Sequence, residues 1–223
     1  TALSLISGVY FNFVIGIVSQ NIDSPTNPVR FSSPVSLDKD DRRPFMSEEQ
    51  AYELLLNALT EYDRALYQMP ARIVIHKSSK FRESEIKGFS KAIQEKGIRS
   101  KDFVSITNTN IRLFGEGLYP PHRGTLMSLN DNTAVLYTKG FVDFYKTYPG
   151  MYIPSPVLVS AYENDSSLEE LCKEVLGLTK MNWNNTQLDG RLPITLECAQ
   201  KVGDIIKYIP HNEKPQVNYS FYM

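Results

Sequence analysis

Arg72-Ile-Val-Ile-His76 is the stretch on which the fold turns. It is a short apolar run, rich in β-branched residues and bounded by polar ones, the pattern of a strand buried on both faces near the centre of a sheet. A helical run from about Glu83 to Lys96, a break at Gly97 and a second strand at Asp102-Phe-Val-Ser-Ile106 follow it, so the chain alternates strand and helix here. Upstream, Ser47 with Gln50 forms a capping box. Ala51, Leu54, Leu55, Ala58, Leu59, Tyr62 and Leu66 then recur at helical spacing, which predicts a helix ending before Pro70.

Further out the pattern is mostly β. Leu3 to Phe11 and Phe13 to Gln20 read as strands joined near Asn12, and the segment from Asn21 to Pro44 reads as a proline-broken meander with a short edge strand near Val29 to Phe31. Downstream, Ile111 to Phe114, Gly124 to Leu129 and Thr133 to Thr138 read as antiparallel hairpins, while Tyr148-Pro-Gly150 and Tyr152-Ile-Pro-Ser-Pro156 read as turn and edge-strand chemistry. Ser166 with Glu169 caps a helix through Leu178, and Thr195 opens a last helix with Leu196, Ala199, Val202, Ile205, Ile206 and Ile209 on one face. The sum is an α/β fold: an RNase H-like mixed sheet with flanking helices, in competition with other mixed α/β folds.

Composition sets outer bounds. A chain of 223 residues, 42% hydrophobic and 22% charged, is long enough for a sizeable core and counts as one domain. Its formal net charge of -1 attracts no polyanion, so nucleic acid would have to meet a local basic cluster. Cys172 and Cys198 have neither zinc-site nor disulfide-framework spacing, and a reducing cytoplasm is the expected setting. The apolar opening from Ala2 to Ser19 is interrupted by Gly8, Asn12 and Gly16 and lacks a basic leader, so it reads as a buried hairpin and no membrane association is expected. Because it begins with Thr1 and not Met, the chain is expected to be a piece of something longer.

One polar segment stands out. Between Leu178 and Lys201, Lys180 and Arg191 offer charge, Asn182, Asn184 and Asn185 offer amide donors, and Thr195 can cap a helix whose free N–H groups favour an anion. Asparagine-rich loops are also ordinary turn chemistry.

Pro70-Ala-Arg-Ile-Val-Ile-His-Lys-Ser-Ser-Lys-Phe81, Tyr119-Pro-Pro-His-Arg-Gly-Thr125, Leu136-Tyr-Thr-Lys-Gly140, Leu178-Thr-Lys-Met-Asn-Trp-Asn-Asn185 and Arg191-Leu-Pro-Ile-Thr195 together resemble the PIWI domain of Argonaute proteins, nearest to the prokaryotic, catalytically inactive branch. The resemblance spans residues 1–223 and ends on the aromatic Tyr219-Ser-Phe-Tyr-Met223. It implies a PIWI domain lacking its neighbouring MID domain, as a fragment or a split protein.

Active members of that family resemble RNase H in holding two divalent cations with acidic side chains. In this chain the resemblance puts Tyr10, Ser78 and Gln200 at the ligand positions. Neutral hydroxyls and an amide do not balance two dications, so no two-metal site and no cleavage are expected. The resemblance offers Asp40, Asp41 or Glu48 for the position of the family's inserted glutamate, although solvated acids at a loop and a helix start are the better reading of them.

What the resemblance leaves is binding of a guide strand and its complementary target through backbone phosphates. Lys77, Lys80, Arg123, Lys180, Asn182, Asn184, Asn185 and Arg191 are the candidate contacts, and the Met223 carboxylate would help one Mg²⁺ hold the guide's 5′ phosphate. Plainer readings stand beside these: Lys77 and Lys80 as solvated charges, with Trp183 as a packing anchor, His76 as a strand-end structural residue, and His122 and His211 as loop residues outside any metal site. The partners implied are guide and target nucleic acid, RNA or DNA, a MID domain in cis or in trans, and an effector protein in prokaryotic defence. Two rivals remain: an active nuclease using Asp23, Asp41 or Glu48, and a scaffold domain that has lost nucleic-acid binding.

Overall fold

The computed structural model describes residues 36–37, 44–116, 120–143, 153–181, 190–206 and 208. The strands expected at 3–11, 13–20 and 29–31 lie outside these residues. A two-residue pair, β1 (Ser36–Leu37) with β2 (Pro44–Phe45), leads into α1 (Glu48–Leu66), β3 (Arg72–Lys77), α2 (Glu83–Glu95) and β4 (Ser100–Asn108). Then come β5 (Leu126–Asn130), β6 (Thr133–Lys139), β7 (Ser155–Asn164), α3 (Leu168–Leu178) and α4 (Ile194–Ile206).

The larger sheet has five strands in the order β3-β4-β7-β6-β5. β3 and β4 are parallel, joined by α2, and every other pair is antiparallel. Alternation along the strands divides the core between two faces. Ile73, Ile75 and Phe103 point to one side and pack with Leu55, Leu59, Phe89 and Ile93 of α1 and α2. Val104, Ile106, Leu136, Val157 and Val159 point to the other and pack with Leu171, Val175 and Leu196 of α3 and α4. Full burial of each such side chain contributes about 1.5–3 kcal/mol, so two separate apolar layers grip one sheet.

A buried acid orders the far edge. Asp102, with no exposed surface, accepts hydrogen bonds from Arg72 Nε at 2.6 Å, from the backbone N–H groups of Asp165 and Ser166 at 2.9 Å each, and from Ser166 Oγ at 3.0 Å. Arg72 reaches on to Glu174 of α3. One carboxylate therefore ties the start of β4 to the turn between β7 and α3.

Several local expectations shift, each for a physical reason. Ser47 and Gln50 form their capping box, and α1 closes on Tyr67 in the left-handed conformation at φ 55°. The cap of α3 is Ser167 with Glu170, one residue beyond the expected pair, because Ser166 is held by Asp102. Ile111 to Phe114 form no strand: β7 already pairs with β4, and the segment is held by Leu113 N–H donating to Tyr137 Oη at 2.9 Å. Ser155 and Pro156, expected within a turn and edge segment at Tyr152 to Pro156, open the central strand β7, and the rest of that strand had no sequence expectation. Pro156 is accommodated where the β6–β7 register shifts between Tyr137 and Lys139. Thr195 lies inside α4 rather than capping it.

The two helices over the first face meet at Gly88, where an added Cβ would sit 2.2 Å from the Glu48 carbonyl oxygen and 2.8 Å from Ala51 Cβ. Gly88→Ala is expected to destabilise the fold by about 1–3 kcal/mol by overpacking this crossing. The same change at Gly177, where a Cβ meets nothing within 4 Å, is expected to stabilise by up to about 1 kcal/mol. Denaturant midpoints of the two variants measure both, and midpoints moving in the same direction would refute this account of the packing.

Candidate nucleic-acid interface

Parallel pairing brings the carboxyl ends of β3 and β4 to one edge of the sheet, the edge at which open α/β sheets hold ligands. Register extends that edge across the molecule: Asn108 at the end of β4 faces Val157, Val157 faces Leu136, and Leu136 faces Leu126 at the start of β5. α3 runs back from the opposite edge and finishes here, and α4 starts here.

The turn before β5 is built from paired backbone hydrogen bonds: Arg123 N–H to Phe141 O at 2.8 Å, Phe141 N–H to Pro121 O at 3.0 Å, and Gly124 N–H to Tyr137 O at 2.8 Å. From this frame the Arg123 side chain crosses to the end of α3, where Nη2 donates to Leu176 O at 3.2 Å and to Thr179 Oγ1 at 2.5 Å. It thus caps the negative end of the helix dipole. Gly190 approaches Thr179 from another side, so closely that an added Cβ would lie 2.5 Å from the Thr179 carbonyl oxygen. Thr179 therefore gathers Arg123 and the residue preceding Arg191 at one place, with the exposed Lys180 adjoining it.

The polar accounting is incomplete at this edge. Among the described residues, the buried side-chain nitrogen and oxygen atoms without a hydrogen-bond partner are Arg123 Nε, Arg191 Nε and Thr138 Oγ1. Buried donors of this kind normally have partners. Burial lowers the Arg123 pKa from its ordinary value with no carboxylate among the causes, so this half-buried cation lacks a described counter-charge. Sequence reading passed over Thr138 and Thr179, since a lone threonine in a strand or at a helix end carries no distinguishing spacing.

The end of β3 is arranged differently. Its alternate residues point to opposite faces: His76 is buried, and its Nδ1 shares a 2.9 Å hydrogen bond with Thr195 Oγ1 of α4. Lys77 points the other way and is also buried, its Nζ 2.6 and 2.7 Å from the two Glu85 carboxylate oxygens and 3.1 Å from the Lys80 carbonyl oxygen. Burial pushes its pKa down while Glu85 pulls it up. The Lys77 charge is thus internally neutralised, whereas Lys80 is exposed at the edge. Glu85 gave no sequence signal beyond its place in a charged helix start.

Ser78 follows at the strand end, and Gln200 is exposed on α4. The described residues contain no group of three His, Cys, Asp or Glu side chains able to hold a metal ion. Glu48 is exposed at the first position of α1. His122 Nε2 lies 3.1 Å from Asp143 Oδ1 at the surface and stacks edge-on against Phe141. Tyr10, Asp23, Asp40, Asp41, Asn182, Trp183, Asn184, Asn185, His211 and Met223 lie outside the described residues. No described helix is long and apolar enough to cross a membrane.

A five-stranded mixed sheet between helices, with its cations at the carboxyl edge of the parallel pair, defines an RNase H-like α/β domain. The fold is PIWI-like, shared with part of prokaryotic Argonautes. Clostridium butyricum Argonaute, solved with a guide DNA and a 19-mer target DNA, superimposes with a TM-score of 0.60 at 23% identity over 76% of this chain and 22% of that one. Marinitoga piezophila Argonaute in complex with a 5′ OH guide RNA gives a TM-score of 0.54 at 21% identity, over 76% and 26% respectively. In sequence, the Argonaute of Aquifex aeolicus is 21% identical over 159 residues, 71% of this chain and 21% of that protein. The chain thus spans about a fifth to a quarter of the relatives it matches. No family model matches it.

The buried His76 contact gives a pH dependence with a definite sign. Burial first, and Arg72 second, push the His76 pKa down to about 4, against 6.5 for a free histidine. The unfolded chain therefore takes up a proton that the fold refuses, and stability is expected to fall as pH drops from about 6.5 towards 4, by on the order of 3 kcal/mol in all. His76→Asn should flatten this limb in a plot of unfolding free energy against pH. An unchanged limb would assign the titration to another group.

Proposed function

We propose that this chain is the PIWI part of a prokaryotic Argonaute that holds a guide strand and its complementary target without cutting them, in defence against invading nucleic acid. The observation that carries the reading is the half-buried Arg123 guanidinium, which has no described counter-charge, at the sheet edge where ligands of such folds sit. A phosphodiester bound at this edge supplies the missing charge. Lys180 and Lys80 extend the cationic edge, and the amides of Asn182, Asn184 and Asn185 belong to the same proposed contact set. Such contacts grip the backbone and leave sequence to base pairing, which suits a chain whose overall charge is close to neutral.

Absence of cleavage is the second half of the proposal. The RNase H-like fold is one that nucleases use, but Ser78 and Gln200 offer a hydroxyl and an amide where two-metal chemistry needs anionic oxygen. Its output then passes to a separate effector protein, and a MID domain, in cis or in trans, completes the grip on the guide's 5′ end.

Salt titration of guide binding tests the first half. Log affinity against log salt should be steep, and Arg123→Ala or Arg191→Ala should each lower the slope by about one and weaken binding about three- to tenfold. Lys87→Ala, in an exposed pair with Glu83 on α2, should change neither. Salt-independent binding, or a Lys87 effect equal to the arginines', would leave a scaffold role instead. For the second half, guide, matched target and Mn²⁺ should yield no product; product that vanishes on substituting Asp23, Asp41 or Glu48 would identify an active nuclease.

A further inference from the structure

The buried Lys77 does something other than touch phosphate. Its ammonium donates to the carbonyl oxygen of Lys80 at 3.1 Å and to both carboxylate oxygens of Glu85, and so closes the short loop Ser78–Lys80 into a ring against the start of α2. Glu85 is itself buried and fully used. Its Oε2 accepts from Arg82 N–H at 2.9 Å and its Oε1 from Met46 N–H at 3.3 Å, while Ser84 Oγ returns a hydrogen bond to Met46 O at 3.1 Å. Phe81 lies under the ammonium, 5.4 Å from it, and packs against Phe89, Phe103 and Tyr162. The chain just before α1, the end of β3 and the beginning of α2 thus converge on one ion pair, and the loop between them ends in an exposed Lys80.

We infer that Lys77 and Glu85 are positioning residues: their buried ion pair fixes the Ser78–Lys80 loop so that Lys80, rather than Lys77, meets a backbone phosphate of the bound nucleic acid. The assignment rests on the nucleic-acid reading above. Its physical basis is pre-organisation, since a lysine held on a fixed backbone loses less freedom on binding than one on a loose loop. A buried pair is also a costly way to obtain stability alone, because apolar residues of similar volume serve as well or better.

Two measurements with a phosphorylated guide oligonucleotide and the protein test this. In binding across a salt series, Lys80→Ala should weaken affinity about three- to tenfold and lower the salt slope by about one. Lys77→Met, which keeps the stem on Phe81, should do nearly the same, and combining it with Lys80→Ala should add little. The Lys77→Met/Glu85→Leu double variant, which exchanges the pair for apolar groups and leaves no unpaired buried charge, should show the same loss of affinity. In hydrogen exchange without nucleic acid, both Lys77 variants should speed exchange at Ser79 to Arg82 while β4 and β7 keep their protection.

Additive effects of Lys77 and Lys80, or full affinity in the apolar double variant, would overturn the assignment while leaving the binding reading in place. A wild-type protein without salt-dependent binding would overturn both. Unchanged exchange at Ser79 to Arg82 would remove the clamp itself.

Discussion

Two adjacent residues at the end of β3 hold the structure together. Because strand side chains alternate, His76 and Lys77 leave the same strand in opposite directions and enter opposite helical layers. Each is polar and buried, and each has a single described side-chain hydrogen-bond partner: Thr195 of α4 on one face and Glu85 of α2 on the other. Apolar contacts can slide, but displacing a buried hydrogen bond or ion pair leaves the desolvation cost of its groups uncompensated. The two layers therefore have one register relative to the sheet, and the loop after β3 and the start of α4 are delivered together to the same edge.

Charge is distributed along the same logic. Inside, cations are compensated: Arg72 by Asp102 and Glu174, and Lys77 by Glu85. At the carboxyl edge no such pair is found among the described residues: Arg123 relies on helix-end acceptors, and Arg191 keeps a buried nitrogen without a described partner. A protein of net charge -1 can hold a polyanion only through such a local imbalance. The paired cations and these two arginines look alike in sequence, since each is a basic residue near a strand or helix end.

Legibility followed the range of the interactions. The α1 cap was readable because Ser47 and Gln50 are three residues apart and satisfy each other. The cap of α3 moved from Ser166 to Ser167 because Asp102, far away in the chain, holds Ser166. Prolines at 154 and 156 made Tyr152 to Pro156 read as turn and edge, although Ser155 and Pro156 begin β7; a register shift opposite Pro156 lets that strand sit centrally. Lys77 read as a surface cation beside Lys80, and only the inward direction of its strand position distinguishes the two.

By itself the sequence determined the alternation of strand and helix around Arg72 to His76, the mixed α/β class, and the basic, amide-bearing segments that the resemblance connects to nucleic acid. These follow from periodicity and local hydrogen bonding, which act over a few residues. Tertiary structure alone decided which cations are neutralised and which face solvent, because burial and partner charges are set by elements distant in the chain. It turned Lys77 inward to Glu85, gave Thr195 to His76 instead of to a helix cap, and brought Arg123 and the chain before Arg191 together across Thr179.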